Sequence, residues 1–310
     1  MLSSKNIYNV IGVMSGTSLD GIDLCYSEFT LKECHWSFSI KICETIMYNE
    51  YWAEKLSQAN NFHDTILFDL DKEYTSYLAT VIKDFIKKYK ITSIDFISSH
   101  GHTVYHQPEE NYTFQLGNRI ELRQLIKKPI VCDFRVQDVA LGGQGAPLVP
   151  IGDLLLFKDF SHCINLGGFC NISIKNDSQI IAYDICPVNV VLNYLSKKIG
   201  FSFDKDGNHA KSGSVNKQLL KDLNQIEYYS EEPPKSLGIE WVKENIFKLI
   251  DKYKISNEDK LRTFTEHICS QIAMNIDSDN PQILFTGGGV KNKFLIARLS
   301  KKMKIKFQLP

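Results

Sequence analysis

Hydrophobic and polar positions along the 310-residue chain form short strand-like runs separated by longer helical stripes. Residues 8–14 are apolar and end in Ser15-Gly16-Thr17-Ser18-Leu19-Asp20-Gly21, after which a strand-like pattern resumes over 22–29. That arrangement predicts strand, glycine-rich turn, strand. Residues 35–44 alternate as a third strand would. Over 63–89 apolar residues recur at helical spacing (Ile66, Leu67, Leu70, Tyr74, Leu78, Val81, Ile82, Phe85) and predict a long helix. Residues 94–98 read as a buried strand running into a turn, Ser99-His100-Gly101-His102. A helix over 120–126 and a strand over 129–132 follow.

The stretch 138–150 carries three Gly and two Pro. It reads as a loop near a domain boundary, and the chain is expected to divide into 1–135 and 136–310. The pattern then restarts: a strand over 162–166, a turn at Gly167-Gly168, and strands over 171–174 and 179–183, with Asp184 at the C-terminal end of the last. A helix is expected over 190–199, a polar glycine-containing stretch over 204–213, and helices over 240–253 and 257–276. A strand over 282–286 ends in Gly287-Gly288-Gly289, followed by a helix over 291–302 and a last strand near 305–308. The opening of strand, glycine turn, strand, strand, helix thus occurs twice without residue identity between the halves. An α/β protein of two similar lobes is the expectation.

Composition narrows the function classes. Lys+Arg and Asp+Glu both total 36, so no basic excess favours nucleic acid or an anionic membrane. A small anionic ligand remains open, because backbone N–H groups bind anions without net charge. No run approaches the ~20 apolar residues of a membrane span, and residues 1–14 do not read as a signal peptide. The eight cysteines contain no CxxC pair, which argues against a structural zinc site and for reduced, buried thiols in the cytoplasm.

Three glycine turns, each leaving a strand, are the first chemical signal. In residues 12–23, GVMSGTSLDGID, a turn rich in Gly, Ser and Thr can aim several N–H groups and hydroxyls at one point, with Asp20 and Asp23 beside it. Such a nest with a carboxylate suits phosphate and Mg²⁺; equally, it suits a tight hairpin with Asp as a turn former. No GxxxxGK[ST] is present. Asn165-Leu166-Gly167-Gly168 repeats the feature. Thr286-Gly287-Gly288-Gly289 places three glycines between a strand and a helix, where a flat ligand can lie against backbone, or where a plain connection turns. Together the turns point to a nucleotide. Asp184 suits a general base or a cap for the helix after it. Asp133 and Arg135 follow another strand and suit a polar substrate or a surface salt bridge. His100 and His102 suit substrate contacts or structural roles.

With those residues in view, the chain resembles the anhydro-N-acetylmuramic acid kinases. The matching stretches are IGVMSGTSLDGID (11–23), SSHGHTVYHQP (98–108), TFQLGNRIEL (113–122), VCDFRVQDVALGGQGAPLVPIGD (131–153), INLGGFCNIS (164–173), AYDICPVN (182–189), DKDGNHAKSG (204–213), PPKSLGIEW (233–241) and LFTGGGVKN (284–292). The resemblance implies two RNase-H-like, actin-like ATPase lobes around a nucleotide cleft. It implies ATP bound by Gly16, Thr17, Ser18, Leu19, Asp20, Gly21, Ile22 and Asp23, by Gly167 and Gly168, and by Gly287, Gly288 and Gly289, with Mg²⁺ near Asp20. The substrate would be 1,6-anhydro-N-acetylmuramic acid, with His100, Asp133, Arg135 and Asn189 toward it and Asp184 as catalytic base. The product would be N-acetylmuramic acid 6-phosphate, in cell-wall recycling. Relatives are often homodimers.

Two departures stand against the family pattern. The usual TGPGN after the aspartate is here Ile185-Cys186-Pro187-Val188-Asn189. Family members also usually continue past the strand that follows the last glycine loop, so the end at Pro310 reads as a shortened C-terminus. An active sugar kinase and a truncated, weakly active or inactive nucleotide- and sugar-binding relative both remain open.

Overall fold

The computed structural model describes residues 5–16, 19, 21–175, 179–276, 281–304 and 306–309. The chain divides into two compact units, Met1–Leu148 and Val149–Pro310. The division falls near the end of the Gly/Pro-rich stretch, rather than before it at 135/136.

The first unit contains β1 (Ile7–Ser15), β2 (Gly21–Lys32), β3 (His35–Met47), α1 (Glu50–Gln58), α2 (Asp64–Lys88), β4 (Phe96–Gln107), β5 (Tyr112–Leu116), α3 (Ile120–Ile126), β6 (Ile130–Val131) and α4 (Val136–Ala140). β1, β2 and β3 form an antiparallel meander, β4 lies parallel to β1, and β6 lies parallel to β4. The far half of β4 pairs instead with β5. The long helix forms as its stripe predicts: Leu67, Leu70, Tyr74, Leu78, Ile82 and Phe85 are buried against Ile11, Ile22, Leu24 and Ile97 of the sheet. Each such buried side chain contributes about 1.5–3 kcal/mol. Ile66 falls off the stripe and is 52% exposed.

The second unit contains α5 (Pro150–Leu156), β7 (His162–Leu166), β8 (Phe169–Lys175), β9 (Ile180–Pro187), α6 (Asn189–Lys197), α7 (Asn208–Ser212) and α8 (Lys217–Asn224). After these come α9 (Ile239–Trp241), a π-helical stretch Val242–Phe247, α10 (Lys248–Lys252), α11 (Asn257–Met274), β10 (Ile283–Thr286) and α12 (Lys293–Met303). Again a meander, β9-β8-β7, is followed by a parallel strand, β10 beside β7. Gln308 then bridges Leu284 in parallel, where a fifth strand would begin. α11 is buried through Leu261, Phe264, Ile268 and Ile272. It starts at Ser256, whose side chain accepts the Asp259 N–H.

The strand order 3-2-1-4 therefore occurs in each unit, continued by β5 and β6 in the first and by the single Gln308 bridge in the second, which is the order of an RNase-H-like lobe. Some expectations change. The segment 99–102 is not a turn: β4 runs through it to Gln107, bending at a bulge where Gly101 has φ +73°. Asp138–Ala140 belong to α4 rather than to a loop. All eight cysteines are free, but Cys34 and Cys43 are exposed rather than buried. No helix among the described residues is long and apolar enough to cross a membrane.

Candidate functional site

In the first unit, β1 and β2 form the expected hairpin, their last ladder pair being Ser15 with Ile22. Within the turn, Leu19 adopts φ +59° and its N–H donates to the Gly16 carbonyl at 3.3 Å. Thr17, Ser18 and Asp20 lie outside the described residues. Gly21 is packed so closely on the Ile46 carbonyl of β3 that a side chain would collide with backbone. Ile22 is buried in the core. Asp23 is exposed and accepts from the Thr45 hydroxyl.

Beneath this turn lies a buried polar chain that the sequence did not announce. Ser15 Oγ is 2.8 Å from His102 Nδ1 and 2.6 Å from Tyr48 Oη, which is 2.7 Å from Tyr74 Oη. Four separate segments supply these groups. Burial, reinforced by the neighbouring His100, pushes His102 down to about 4, so its ring is neutral at pH 7. Burial also pushes Tyr74 well up.

A second cluster joins three residues singled out in the sequence. Arg135 Nε donates to His100 Nε2 at 3.2 Å. Because Nε2 accepts, the His100 proton sits on Nδ1, which donates to the Gly101 carbonyl at 2.9 Å. Burial first, then the guanidinium, lowers the His100 pKa. Both ring nitrogens therefore serve the protein. Arg135 Nη1 donates to the Gly145 carbonyl at 2.7 Å. Asn118 links the third member: its Nδ2 donates to Asp133 Oδ1 at 3.0 Å and to the His100 carbonyl at 3.3 Å. Asn118 went unnoticed as an individual residue, although it lies inside the stretch TFQLGNRIEL.

In the second unit, Asp184 is not at the end of its strand. It sits inside β9 opposite Asn171, and Ile185 is the extra residue of a bulge, since Cys170 pairs with Cys186. A bulge re-aims side chains. The Leu237 N–H donates to Asp184 Oδ2 at 2.9 Å, the Asp184 N–H donates to the Lys235 carbonyl at 3.1 Å, and Tyr228 Oη donates to the Asp184 carbonyl at 2.6 Å. Burial raises the carboxyl pKa, partly offset by the Leu237 N–H and the Asn171 side chain. Lys235 and Leu237 belong to PPKSLGIEW, a matching stretch whose individual roles were not legible.

The two glycine turns of this unit meet. Gly287 has φ +83°, and a Cβ there would lie 2.8 Å from the Leu166 carbonyl and against Asn165 Oδ1. A Cβ on Gly289 would lie 2.8 Å from Leu166 Cβ, whereas at Gly288 nothing lies within 4 Å. The first and third glycines thus let the loop press on the hairpin, and the middle one presents open backbone. Asn189 Nδ2 donates to the Gly167 carbonyl at 2.7 Å, and the Val188 and Val190 N–H groups donate to Gly168. Asn189 is thereby committed to the hairpin turn. Immediately after the loop, Asn292 caps α12 by accepting the Leu295 N–H.

Among the described residues no group of three or more His, Cys, Asp or Glu could hold a metal ion. Mg²⁺ needs no such cluster, since it usually keeps several waters and is held by one or two carboxylates with phosphate oxygens.

Comparison with known proteins gives the family of the chain. The family model described as anhydro-N-acetylmuramic acid kinase matches residues 8–309. An anhydro-N-acetylmuramic acid kinase of Sulfurimonas denitrificans is 34% identical over 94% of this chain and 84% of its own. One of Vibrio parahaemolyticus is 33% identical over 94% and 82%. A solved structure, the (R)-2-hydroxyglutaryl-CoA dehydratase component A of Acidaminococcus fermentans, is similar at TM-score 0.48 and 10% identity, covering 98% of this chain and 92% of that one. On the extent of the first match and the identity of the relatives, this chain belongs to the anhydro-N-acetylmuramic acid kinase family.

Proposed function

We propose that the protein phosphorylates 1,6-anhydro-N-acetylmuramic acid with ATP and water, giving N-acetylmuramic acid 6-phosphate and ADP in the cytoplasmic recycling of cell-wall sugars. Asp184 carries the reading. Burial raises its carboxyl pKa, which makes it a better proton acceptor than a free carboxylate, and its backbone is fixed on both sides.

Asp184 takes a proton from a water molecule. The water oxygen bonds to the anomeric carbon as the bond from that carbon to O6 breaks. O6 then bonds to the γ-phosphorus as the bond to the ADP oxygen breaks. Positioning and charge stabilisation dominate such a transfer. Residues 16–23, Gly167, Gly168 and the 287–289 loop are assigned to ATP, with Gly288 offering open backbone to the adenosine. Asp133 and Arg135 are assigned to the sugar, and Asp20 to Mg²⁺. When bound, Mg²⁺ would neutralise phosphate charge. His100 and Asn189 act through the protein: His100 orients Arg135, and Asn189 holds the Gly167-Gly168 turn.

The test is ADP release from Mg-ATP with and without 1,6-anhydro-N-acetylmuramic acid, with the sugar product identified by mass. Sugar-dependent ADP with matching sugar 6-phosphate supports the reading. Binding of both ligands without turnover would reduce the protein to a nucleotide- and sugar-binding relative.

A further inference from the structure

Lys235 lies in the stretch that meets Asp184. Its Nζ donates to the Glu231 carbonyl at 2.8 Å and to the Tyr228 carbonyl at 3.2 Å. These carbonyls stand in and just after the helical turn Glu227–Ser230, whose carbonyl end attracts a cation. The same ammonium is 5.0 Å from the Tyr228 ring centroid and 5.8 Å from that of Tyr183, the residue before Asp184. Burial lowers the Lys235 pKa, and Glu231 and Glu232 oppose this only through space. Between the two held carbonyls and Lys235 stand Pro233 and Pro234, which have no N–H to donate. The ammonium thus serves main-chain acceptors in a stretch short of main-chain donors. From this stretch two groups reach the aspartate: the Lys235 carbonyl accepts the Asp184 N–H, and the Leu237 N–H donates to Oδ2. The charge of Lys235 is not among the influences on the Asp184 carboxyl, which are burial, the Leu237 N–H and the Asn171 side chain. Any effect of Lys235 on Asp184 therefore passes through the shape of the stretch.

Resting on the reading of Asp184 as the base, we infer that Lys235 is a positioning residue for the reaction: by gathering the Tyr228 and Glu231 carbonyls, its ammonium holds residues 231–237 in the shape that presents the Leu237 N–H to the Asp184 carboxylate. An N–H on a carboxylate favours the charged form. Releasing the stretch withdraws that donor, so the Asp184 pKa moves further up. Cys170 and Tyr228, the titratable groups that interact electrostatically with Asp184, are both pushed up by burial and stay neutral where a carboxylate titrates. Glu231 and Glu232 act on Lys235 and not on Asp184. A displaced titration of Asp184 thus reports on the Leu237 donor.

The experiment titrates the Asp184 carboxyl by ¹³C NMR, its signal assigned with Asp184→Asn, in the wild type, Lys235→Met and Lys235→Arg. The kcat–pH profile and the affinities for ATP and 1,6-anhydro-N-acetylmuramic acid are measured in parallel, and melting curves confirm that each variant is folded. Lys235→Met keeps the stem over the two rings and loses the donors. It should raise the Asp184 pKa, move the acid limb of kcat to higher pH and lower kcat by ~10-fold, the scale of a misplaced group, with ATP affinity unchanged. Lys235→Arg keeps donors and should return both pKa and kcat toward wild type. A purely structural role would lower the melting temperature without moving the Asp184 titration. An unmoved titration in a folded Lys235→Met overturns the inference, and so does an arginine variant no better than the methionine one. Weaker binding of ATP or sugar with an unmoved titration also overturns it, and would make Lys235 a ligand contact. Should Lys235→Met not fold, Lys235→Gln is read in the same way. If the wild type releases no sugar-dependent ADP, the kinase reading falls, and the carboxyl titration still decides the role of Lys235.

Discussion

The Leu237 backbone N–H donates to Asp184 Oδ2 at 2.9 Å across 53 positions of sequence, so a main-chain group, beside the Asn171 side chain, aims the carboxylate. Together with the Lys235 carbonyl and Tyr228 Oη, it fixes the aspartate on three counts.

Asp184→Asn should lower kcat by at least ~10²-fold, the scale of losing a general base, with ATP affinity unchanged. The wild-type rate should fall as pH drops through the Asp184 pKa, and that limb should lie above the ordinary carboxylate range because burial raises it. The folded pKa lies above the unfolded one, so the stability Asp184 contributes is full below the unfolded pKa and is lost as pH rises through the folded one. Asp184→Asn should therefore melt no lower than the wild type at pH 7. Near-wild-type turnover would remove Asp184 from the chemistry.

Tyr228→Phe deletes the hydroxyl on the Asp184 carbonyl without touching the carboxylate. The expected loss of stability is about 0.5–1.5 kcal/mol, with a lower kcat and an unchanged KM for ATP. An altered KM for ATP with unchanged kcat would show that the hydroxyl does not act through the aspartate.

Gly287→Ala and Gly288→Ala separate folding from binding in adjacent residues. At Gly287, positive φ and the backbone of Leu166 oppose a methyl group, so stability should fall by about 1–3 kcal/mol. At Gly288 the space is open, so stability should stay within about 0.5 kcal/mol while ATP affinity falls. Unchanged ATP affinity in Gly288→Ala, measured by calorimetry, would show that the loop does not meet the nucleotide.

His102 sits at about 4 in the folded protein against roughly 6.5 in an unfolded chain. Its contribution to stability is present above the unfolded value and is lost as pH falls through the folded one. Denaturant titrations between pH 7 and 4 should show a steeper loss in the wild type than in His102→Gln, by up to about one proton. Equal slopes would mean that His102 is already neutral-preferring in the unfolded chain or accessible in the folded one.

Much of this arrangement was legible beforehand because its signals are local. The stripe from Leu67 to Phe85 specifies α2, and the glycines after three strands specify turns. What escaped depends on distant partners. The bulge at Ile185, which moves Asp184 into the body of β9, exists only because Cys170 and Asn171 lie opposite. The run Ser99-His100-Gly101-His102 looks like a turn because glycine usually punctuates, yet here pairing with β1 and β5 carries the strand through. Arg135 meets His100 directly, but the link from Asp133 to His100 needs Asn118 as the go-between. The short helices α1, α5 and α8 span too few turns for their apolar stripes to stand out.

Asn189 holds the Gly167 carbonyl through its side chain, while Gly287 and Gly289 rest on Leu166 one residue before it. Two glycine turns, 121 positions apart along the chain by the Thr286–Asn165 hydrogen bond, are thus one packed element. Neither can open to solvent alone. Their amide hydrogens should exchange at a common rate set by a single local unfolding event, and a ligand held by either turn would slow exchange in both.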